Sequence, residues 1–154
     1  MSALARMFEA DPTPVQILLV EDSPSDTELT AEALKASARP AELSVVEDGV
    51  EALAFLRRQG RFKDAPRPDF ILLDLNLPRK DGHDVLAEIK ADSDLKAIPV
   101  VVLSTSRADQ DVLRAYQLNA NCYITKPVGF EQFQALVRAV ESFWLTAVTF
   151  PNHL

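Results

Sequence analysis

The sequence predicts an α/β fold, a three-layer sandwich in which helices cover both faces of a five-stranded parallel sheet. Short runs rich in Val, Ile and Leu, typical of buried parallel strands, alternate along the chain with segments of helical periodicity. One such run, residues 70–73, stops at Asp74, and Pro78 and Asp81-Gly82 then impose a turn. This strand delivers its terminal carboxylate to the sheet edge where open α/β folds bind ligands.

The composition is that of one ordinary globular domain. The chain has 154 residues, 47% of them hydrophobic and 25% charged, enough for one core and too few for two. No apolar run reaches a membrane-spanning length, so we expect no membrane association. The single Cys122 allows no internal disulfide and favours a cytoplasmic protein. A net charge of −7 argues against a nucleic-acid partner.

The N-terminal third begins with an arm and a strand–helix unit. We expect residues 1–14 to be a flexible arm, because the prolines in 11–14 resist regular structure. Residues 15–20 form a central strand that ends at Glu21-Asp22. Ser23-Pro24 then begins a helix, with the serine as N-cap and the proline as its first residue.

The middle third adds an edge strand, the strand at residues 70–73 and two helices. Residues 43–46 form a short strand flanked by charge, as is typical of a sheet edge. Asp48-Gly49 begins a second helix, and residues 60–68 form a basic loop before the central strand. A third amphipathic helix follows Gly82, and His83 is expected to be exposed at its start.

The last third repeats the strand–helix alternation twice. Residues 98–103 form a buried strand that ends in Ser104-Thr105-Ser106, and residues 109–117 form a helix. We expect three residues of this helix to face inward: Val112, Leu113 and Tyr116. Residues 122–125 form a fifth strand, which leads to Lys126-Pro127. The last helix begins near residue 130 with an apolar stripe made of Phe130, Phe133, Leu136, Val137, Val140, Phe143 and Trp144.

Chemically active residues follow four of the predicted strands: Glu21-Asp22, Asp74, Ser104 and Lys126. The carboxyl ends of parallel strands share one edge of the sheet, so these side chains can converge. Three carboxylates in one pocket need a cation, and oxygen ligands of this kind suit Mg²⁺ together with a phosphate. The pattern therefore predicts phosphoryl transfer to Asp74, with Mg²⁺ and Lys126 offsetting the charge of the transferred group.

These motifs resemble the receiver domain of two-component response regulators over residues 15–142. The resemblance rests on Glu21-Asp22, the segment 74–82, Ser104, and Tyr123 with Lys126-Pro127. It implies a flavodoxin-like fold with strand order 2-1-3-4-5 and five helices. It also implies that Asp74 accepts a phosphoryl group from a histidine kinase.

The same resemblance implies roles for the remaining site residues. Asp22, Asp74 and the backbone carbonyl of Asn76 would bind Mg²⁺ directly, and Glu21 would act through water. The Ser104 hydroxyl would move to a phosphoryl oxygen, and Tyr123 would exchange an outward rotamer for a buried one. This would repack the face made by the fourth helix, fifth strand and fifth helix. The Lys126-Pro127 bond resembles the cis peptide of the family.

Three other functions compete with this one. A haloacid-dehalogenase-like phosphatase needs a second aspartate two positions after the nucleophile, where this chain has Asn76. A flavin carrier needs a neutral phosphate loop after the first strand, where Glu21-Asp22 would repel the phosphate. A receiver-like scaffold that works without phosphorylation remains open as the third.

Residues 143–154 form an apolar C-terminal extension. Its aromatic residues favour a homodimer interface at Phe143, Trp144 and Leu145, and packing against its own domain is the alternative. The short extension predicts a stand-alone receiver that signals through a downstream protein or a change in association. The 60–68 loop, residues 121–126 and residues 141–144 resemble the regulators paired with bacterial phytochrome kinases.

Overall fold

The computed structural model describes residues 13–37 and 39–154, which form alternating strands and helices. In chain order these elements are β1 Val15–Val20, α1 Pro24–Lys35, β2 Ala41–Val46, α2 Gly49–Leu56, β3 Phe70–Leu73, α3 Gly82–Ala91, β4 Val100–Ser104, α4 Asp109–Gln117, β5 Cys122–Thr125 and α5 Phe130–Thr146. Two 3₁₀ helices, Gly60–Phe62 and Pro151–His153, lie in the loop before β3 and at the C-terminus.

The strands form one five-stranded sheet in the order β2-β1-β3-β4-β5, with every neighbouring pair parallel. This confirms the predicted fold class and strand order. Alternate residues of a strand point to opposite faces, so each strand serves two cores. In β1, Leu18 and Val20 pack with α2 and α3, whereas Ile17 and Leu19 pack with α5. The sheet is therefore buried on both faces.

Polar side chains fix the starts of three helices. Ser23 accepts a hydrogen bond from the backbone N–H of Asp26 at 3.3 Å, and Pro24 is the first helical residue of α1, as predicted. At the start of α2 the Asp48 carboxylate accepts from the Glu51 N–H, and at the start of α3 the Asp81 carboxylate accepts from the His83 N–H, each at 2.8 Å. Each bond satisfies a backbone donor that the helix itself leaves without a partner.

Two strands differ in length from their predictions. β2 begins at Ala41, not at residue 43, because it pairs with the whole of β1 from the Val15–Ala41 register onward. β4 begins at Val100 and not at residue 98, and it includes Ser104. Pro99 has no N–H to donate to a neighbouring strand, which fits its place just before β4.

The buried faces of α4 and α5 differ from those predicted. In α4 only Ala115 is fully buried, whereas Leu113 is 58% and Tyr116 47% exposed. α4 thus turns the face with the small Ala115 toward the core, and the larger Leu113 and Tyr116 lie toward solvent. In α5, Phe130 is 69% and Phe143 58% exposed, so the prediction that both lie on the buried stripe is wrong.

The C-terminal segment packs against its own domain. Helix α5 runs without a break across residues 142 and 143, and Leu145 and Phe150 are each only 1% exposed. The rings of Trp144 and Phe150 stack on Phe70 with centroid distances of 5.1 and 5.8 Å. Of the three residues predicted to form a dimer interface, Leu145 belongs to the core and only Phe143 is largely exposed.

Hydrogen bonds also hold the C-terminal 3₁₀ helix in place. The Asn152 amide donates to the Pro68 carbonyl at 2.8 Å, and His153 Nε2 lies 3.0 Å from the buried Asp69 carboxylate. Asp69 also accepts from the backbone N–H of Gln16 at 2.8 Å. These contacts join the end of the chain to the start of β1 and to the residue before β3.

The predicted N-terminal arm lies almost entirely outside the described residues, which begin at Thr13, and it stays a prediction. Among the described helices, none is both long and apolar enough to cross a bilayer.

The buried carboxyl of Glu141 yields a prediction about stability. Glu141 is 3% exposed, its Oε1 has no partner among the described residues, and burial raises its pKa from 4.5 to about 8. The folded state therefore keeps a proton that the unfolded state releases, and stability falls as pH rises from about 4.5 through 8. Glu141→Gln should remove this loss, which we place at roughly 1–3 kcal/mol.

Urea unfolding at pH 5 and pH 9 checks this prediction. The variant should gain stability over the wild type mainly at pH 9. Glu131→Gln, which alters an exposed carboxylate of the same helix, should leave the pH dependence unchanged. An equal gain at both pH values would show that ionisation of Glu141 is not the cause.

Candidate functional site

The predicted site residues lie together at the carboxyl-terminal edge of the sheet. Glu21, Asp74 and Lys126 each follow a strand directly, and Ser104 is the last residue of β4. The register aligns Val20 with Leu73 and Ser104 with Thr125, so the strands end at nearly the same level. The backbone N–H of Lys126 donates to the Ser104 carbonyl at 2.7 Å, which places the lysine beside β4.

Three carboxylates meet at this edge. Glu21, Asp22 and Asp74 each have a carboxylate oxygen, and these oxygens lie within 4.8 Å of one another. Glu21 is buried, Asp74 is half-buried and Asp22 is exposed, so the cluster opens to solvent on one side. The Glu21 Oε2 atom is buried and has no partner among the described residues. Oxygen donors of this kind with one open side fit a hard divalent cation.

Lys126 is the counter-ion of this cluster. Its ammonium nitrogen lies 2.6 Å from Glu21 Oε1, 3.1 Å from Asp26 Oδ2 and 3.4 Å from Asp74 Oδ2. The lysine is 7% exposed, so these interactions are little screened by water. The contact with Asp26 did not follow from the sequence, where Asp26 is only an acidic residue in the first turn of α1.

Burial and crowding shift the pKa values of two of these groups. Burial raises the pKa of Glu21 to about 8, and the neighbouring Asp74 carboxyl adds to this effect, while Lys126 opposes it. Burial alone would lower the pKa of Lys126, but its interactions with Glu21, Asp74 and Asp26 outweigh burial and raise it. Lys126 is therefore a permanent positive charge, and the carboxylates around it favour further positive charge.

The turn after Asp74 is closed by specific contacts. The backbone N–H of Asn76 donates to Asp74 Oδ1 at 3.1 Å, and the N–H of Gly82 donates to the Leu75 carbonyl at 2.9 Å. A Cβ atom at position 82 would lie 2.5 Å from both the Asp74 carbonyl oxygen and the Leu75 Cα. Only glycine allows α3 to begin this close to the end of β3.

The two predicted switch residues are joined through Ser106. Ser104 is fully buried, and its hydroxyl oxygen accepts from the Ser106 N–H at 3.2 Å. The Tyr123 hydroxyl donates to the Ser106 carbonyl at 2.9 Å, and the Ser106 hydroxyl donates to Asp111 at 2.6 Å. Tyr123 is half-buried, and its side chain packs against the core.

His83 is buried, and the prediction that it is exposed is wrong. The ring is 4% exposed, and its Nε2 lies 3.2 Å from the backbone carbonyl of Asp111 in α4. On the other side its Nδ1 lies 3.5 Å from the Asp81 carboxylate. The ring therefore bridges the start of α3 and the first turn of α4, a contact between segments distant in sequence.

The predicted cis peptide is also absent. No peptide bond among the described residues is cis, and this includes the bond between Lys126 and Pro127. The lysine nevertheless reaches the carboxylates with a trans bond, as the distance of 2.6 Å to Glu21 shows.

Residues 17–138 match the response regulator receiver domain family, and the chain belongs to this family. The match covers β2 to β5 and α1 to α4 in full, and β1 and α5 in part. The strand order 2-1-3-4-5 is therefore that of a receiver domain.

The chain is similar to several characterised receivers. It is 52% identical over 143 residues to the response regulator Rcp1 of Synechocystis sp.. The aligned region covers 93% of this chain and 97% of Rcp1. A crystal structure of Mn²⁺-bound Rcp1 superposes with a TM-score of 0.88, at 53% identity over 90% of this chain and 99% of Rcp1.

Two further structures extend this comparison. The phosphorylated cyanobacterial phytochrome response regulator RcpA has a TM-score of 0.87, at 52% identity over 90% of this chain and 99% of RcpA. The receiver domain of the Pseudomonas aeruginosa sensor histidine kinase PA1611, which holds a magnesium ion in its active-site cleft, has a TM-score of 0.63. It is 28% identical over 82% of this chain and 97% of that domain.

The His83 bridge yields a prediction about α4. In His83→Leu the new side chain has a similar volume, but it cannot donate a hydrogen bond to the Asp111 carbonyl. The first turn of α4 should therefore open more readily. We expect amide hydrogen exchange in residues 109–113 to rise by about two- to tenfold, the effect of losing one hydrogen bond. His83→Gln, which can still donate from its amide, should lie closer to the wild type. Unchanged exchange in His83→Leu would show that the bridge does not hold α4.

Proposed function

We propose that this receiver domain is switched by phosphorylation, with Asp74 accepting a phosphoryl group from the phosphohistidine of a histidine kinase. The observation that carries the proposal is the position of Lys126. Its ammonium nitrogen is buried and lies 3.4 Å from Asp74 Oδ2, beside a cluster of three carboxylates. A nucleophilic carboxylate, a fixed cation and a cation-binding cluster are the parts that phosphoryl transfer needs.

The reaction transfers the phosphoryl group without other reactants. An oxygen of Asp74 attacks phosphorus and forms the new O–P bond. The N–P bond of the phosphohistidine breaks, and its electron pair stays on the nitrogen of the departing imidazole. Lys126 pairs with the oxygens of the transferred group, and the Asn76 N–H orients Asp74 through Oδ1. The product is an acyl phosphate on Asp74.

We propose Mg²⁺ as the metal of this site. Asp22, Asp74 and the Asn76 backbone carbonyl would hold it, and Glu21 would act through water. The cation supplies positive charge that offsets the phosphoryl oxygens. The Mn²⁺ of the Rcp1 structure and the magnesium ion of the PA1611 receiver support a divalent cation of this class.

The signal would leave the site through Ser106. If the Ser104 hydroxyl moves to a phosphoryl oxygen, it gives up the Ser106 N–H and the β4–α4 loop is released. The Tyr123 hydroxyl is bonded to the carbonyl of the same residue, so movement of the loop repacks the face formed by α4, β5 and α5. We propose that the domain also hydrolyses its own acyl phosphate and has no other catalytic activity.

A phytochrome-type histidine kinase is the proposed partner. RcpA, a phytochrome response regulator, shares 52% identity with this chain, which supports a kinase of the same class. We propose that transfer occurs in the cytoplasm, since a chain with one cysteine gains no disulfide from an oxidising compartment. The output is contact with a downstream protein or a change in association.

The first test is phosphorylation itself. Wild-type protein should be labelled by acetyl phosphate or by a phytochrome kinase when Mg²⁺ is present, and Asp74→Asn should lose essentially all label, because an amide is not a comparable nucleophile. Asp64→Asn, which alters an exposed aspartate, serves as the matched control. Full labelling of Asp74→Asn would exclude Asp74 as the acceptor. A response that persists in that variant would favour a scaffold that works without phosphorylation.

We further propose a homodimer centred on Phe143. This ring is 58% exposed and lies edge-on to Trp144 at 6.1 Å, an aromatic pair at the surface of the packed C-terminal segment. Trp144, which is half-buried, would border this contact, whereas Leu145 supports the helix from within the core. Aromatic residues of this kind are enriched in interfaces.

Light scattering tests the dimer. Phe143→Glu should convert the dimer to a monomer, because it puts a charge at the centre of an apolar contact. Phe130→Glu changes another exposed aromatic residue of α5 and should leave the mass unchanged. The same mass for Phe143→Glu and the wild type would remove the proposed interface.

A further inference from the structure

The hydrogen-bonding capacity of the Lys126 ammonium is fully used. Lysine has three N–H donors, and three carboxylates lie within reach of Nζ: Glu21 at 2.6 Å, Asp26 at 3.1 Å and Asp74 at 3.4 Å. The ammonium is closer to Glu21 and Asp26 than to Asp74. The ammonium is therefore shared, and a phosphoryl group that approaches Asp74 must compete for it with carboxylates that already bind it more closely than Asp74 does.

Burial decides which carboxylate can leave. Glu21 is only 3% exposed, so water cannot replace the lysine there and its release would leave a buried carboxyl group without a hydrogen-bond partner. Asp74 is itself the acceptor. The Asp26 side chain is 31% exposed, so water can replace the lysine at its carboxylate. Asp26 is therefore the partner whose release costs least.

The start of α1 holds Asp26 in this position. Its backbone N–H donates to the Ser23 cap at 3.3 Å, and its carbonyl accepts the Thr30 hydroxyl at 2.9 Å. Its carboxylate is therefore presented to Lys126 from a fixed backbone position.

We propose that Asp26 is a positioning residue that competes with the phosphoryl group for Lys126 and so slows phosphorylation of Asp74. This rests on the proposed function. Asp26 binds the ammonium while Asp74 is unmodified. When the phosphoryl group is transferred, the ammonium leaves Asp26 and binds a phosphoryl oxygen instead. Its negative charge also strengthens cation binding by the nearby cluster, so its removal should have two effects of opposite sign.

The experiment measures both effects in Asp26→Asn. The initial rate of labelling by acetyl phosphate at saturating Mg²⁺ should rise by about two- to fivefold, the range for one partly exposed ion pair. Mg²⁺ affinity, measured by calorimetry without phosphodonor, should fall by about two- to fivefold, because one carboxylate charge near the cluster is gone. Asp26→Glu, which restores the charge, should return both values toward the wild type.

Glu28→Gln is the matched control. It removes the same charge from an exposed position of the same helix. A labelling rate in Asp26→Asn that is equal to or below the wild type overturns the inference, and so does equal acceleration by Glu28→Gln. In either case Asp74-dependent labelling of the wild type leaves the proposed function standing. If the wild type takes no label, or Asp74→Asn is labelled fully, the proposed function and this inference fail together.

Discussion

The structure depends on the burial of one ammonium group among carboxylates from three elements. Lys126 binds Glu21 after β1, Asp26 in α1 and Asp74 after β3, and without it these negative charges would repel one another. The parallel register brings the strand ends to one level, and Lys126 allows the side chains to stay there. The same interaction therefore stabilises the edge of the sheet and forms the site.

The charge at this edge is incompletely balanced, and this explains its chemistry. One lysine faces Glu21, Asp22, Asp26 and Asp74, so the cluster favours a divalent cation. Once a cation is present, a dianionic phosphoryl group becomes acceptable beside Asp74. Under the proposed function, a cation held by these carboxylates would offset the charge of a phosphoryl group on Asp74, and each would favour the binding of the other.

A short chain of hydrogen bonds connects this site with the outer face of the domain. Ser104 binds Ser106, which binds both Tyr123 and Asp111, and Asp111 accepts from His83 through its carbonyl. These bonds are the route by which the proposed movement of Ser104 would reach α4 and Tyr123. The chain belongs to the receiver family, which agrees with this arrangement. The contact of His83 with the Asp111 carbonyl is a second interaction that fixes the first turn of α4.

Local patterns in the sequence determined the strands, the helix starts and the order of the strand-end residues. Apolar runs, the Ser23-Pro24 cap and the turn after Asp74 depend only on neighbouring residues. The tertiary structure alone decided that Asp26 meets Lys126, that His83 is buried and that Leu113 is exposed. These depend on how each helix is rotated against the sheet, and contacts between residues far apart in sequence fix that rotation.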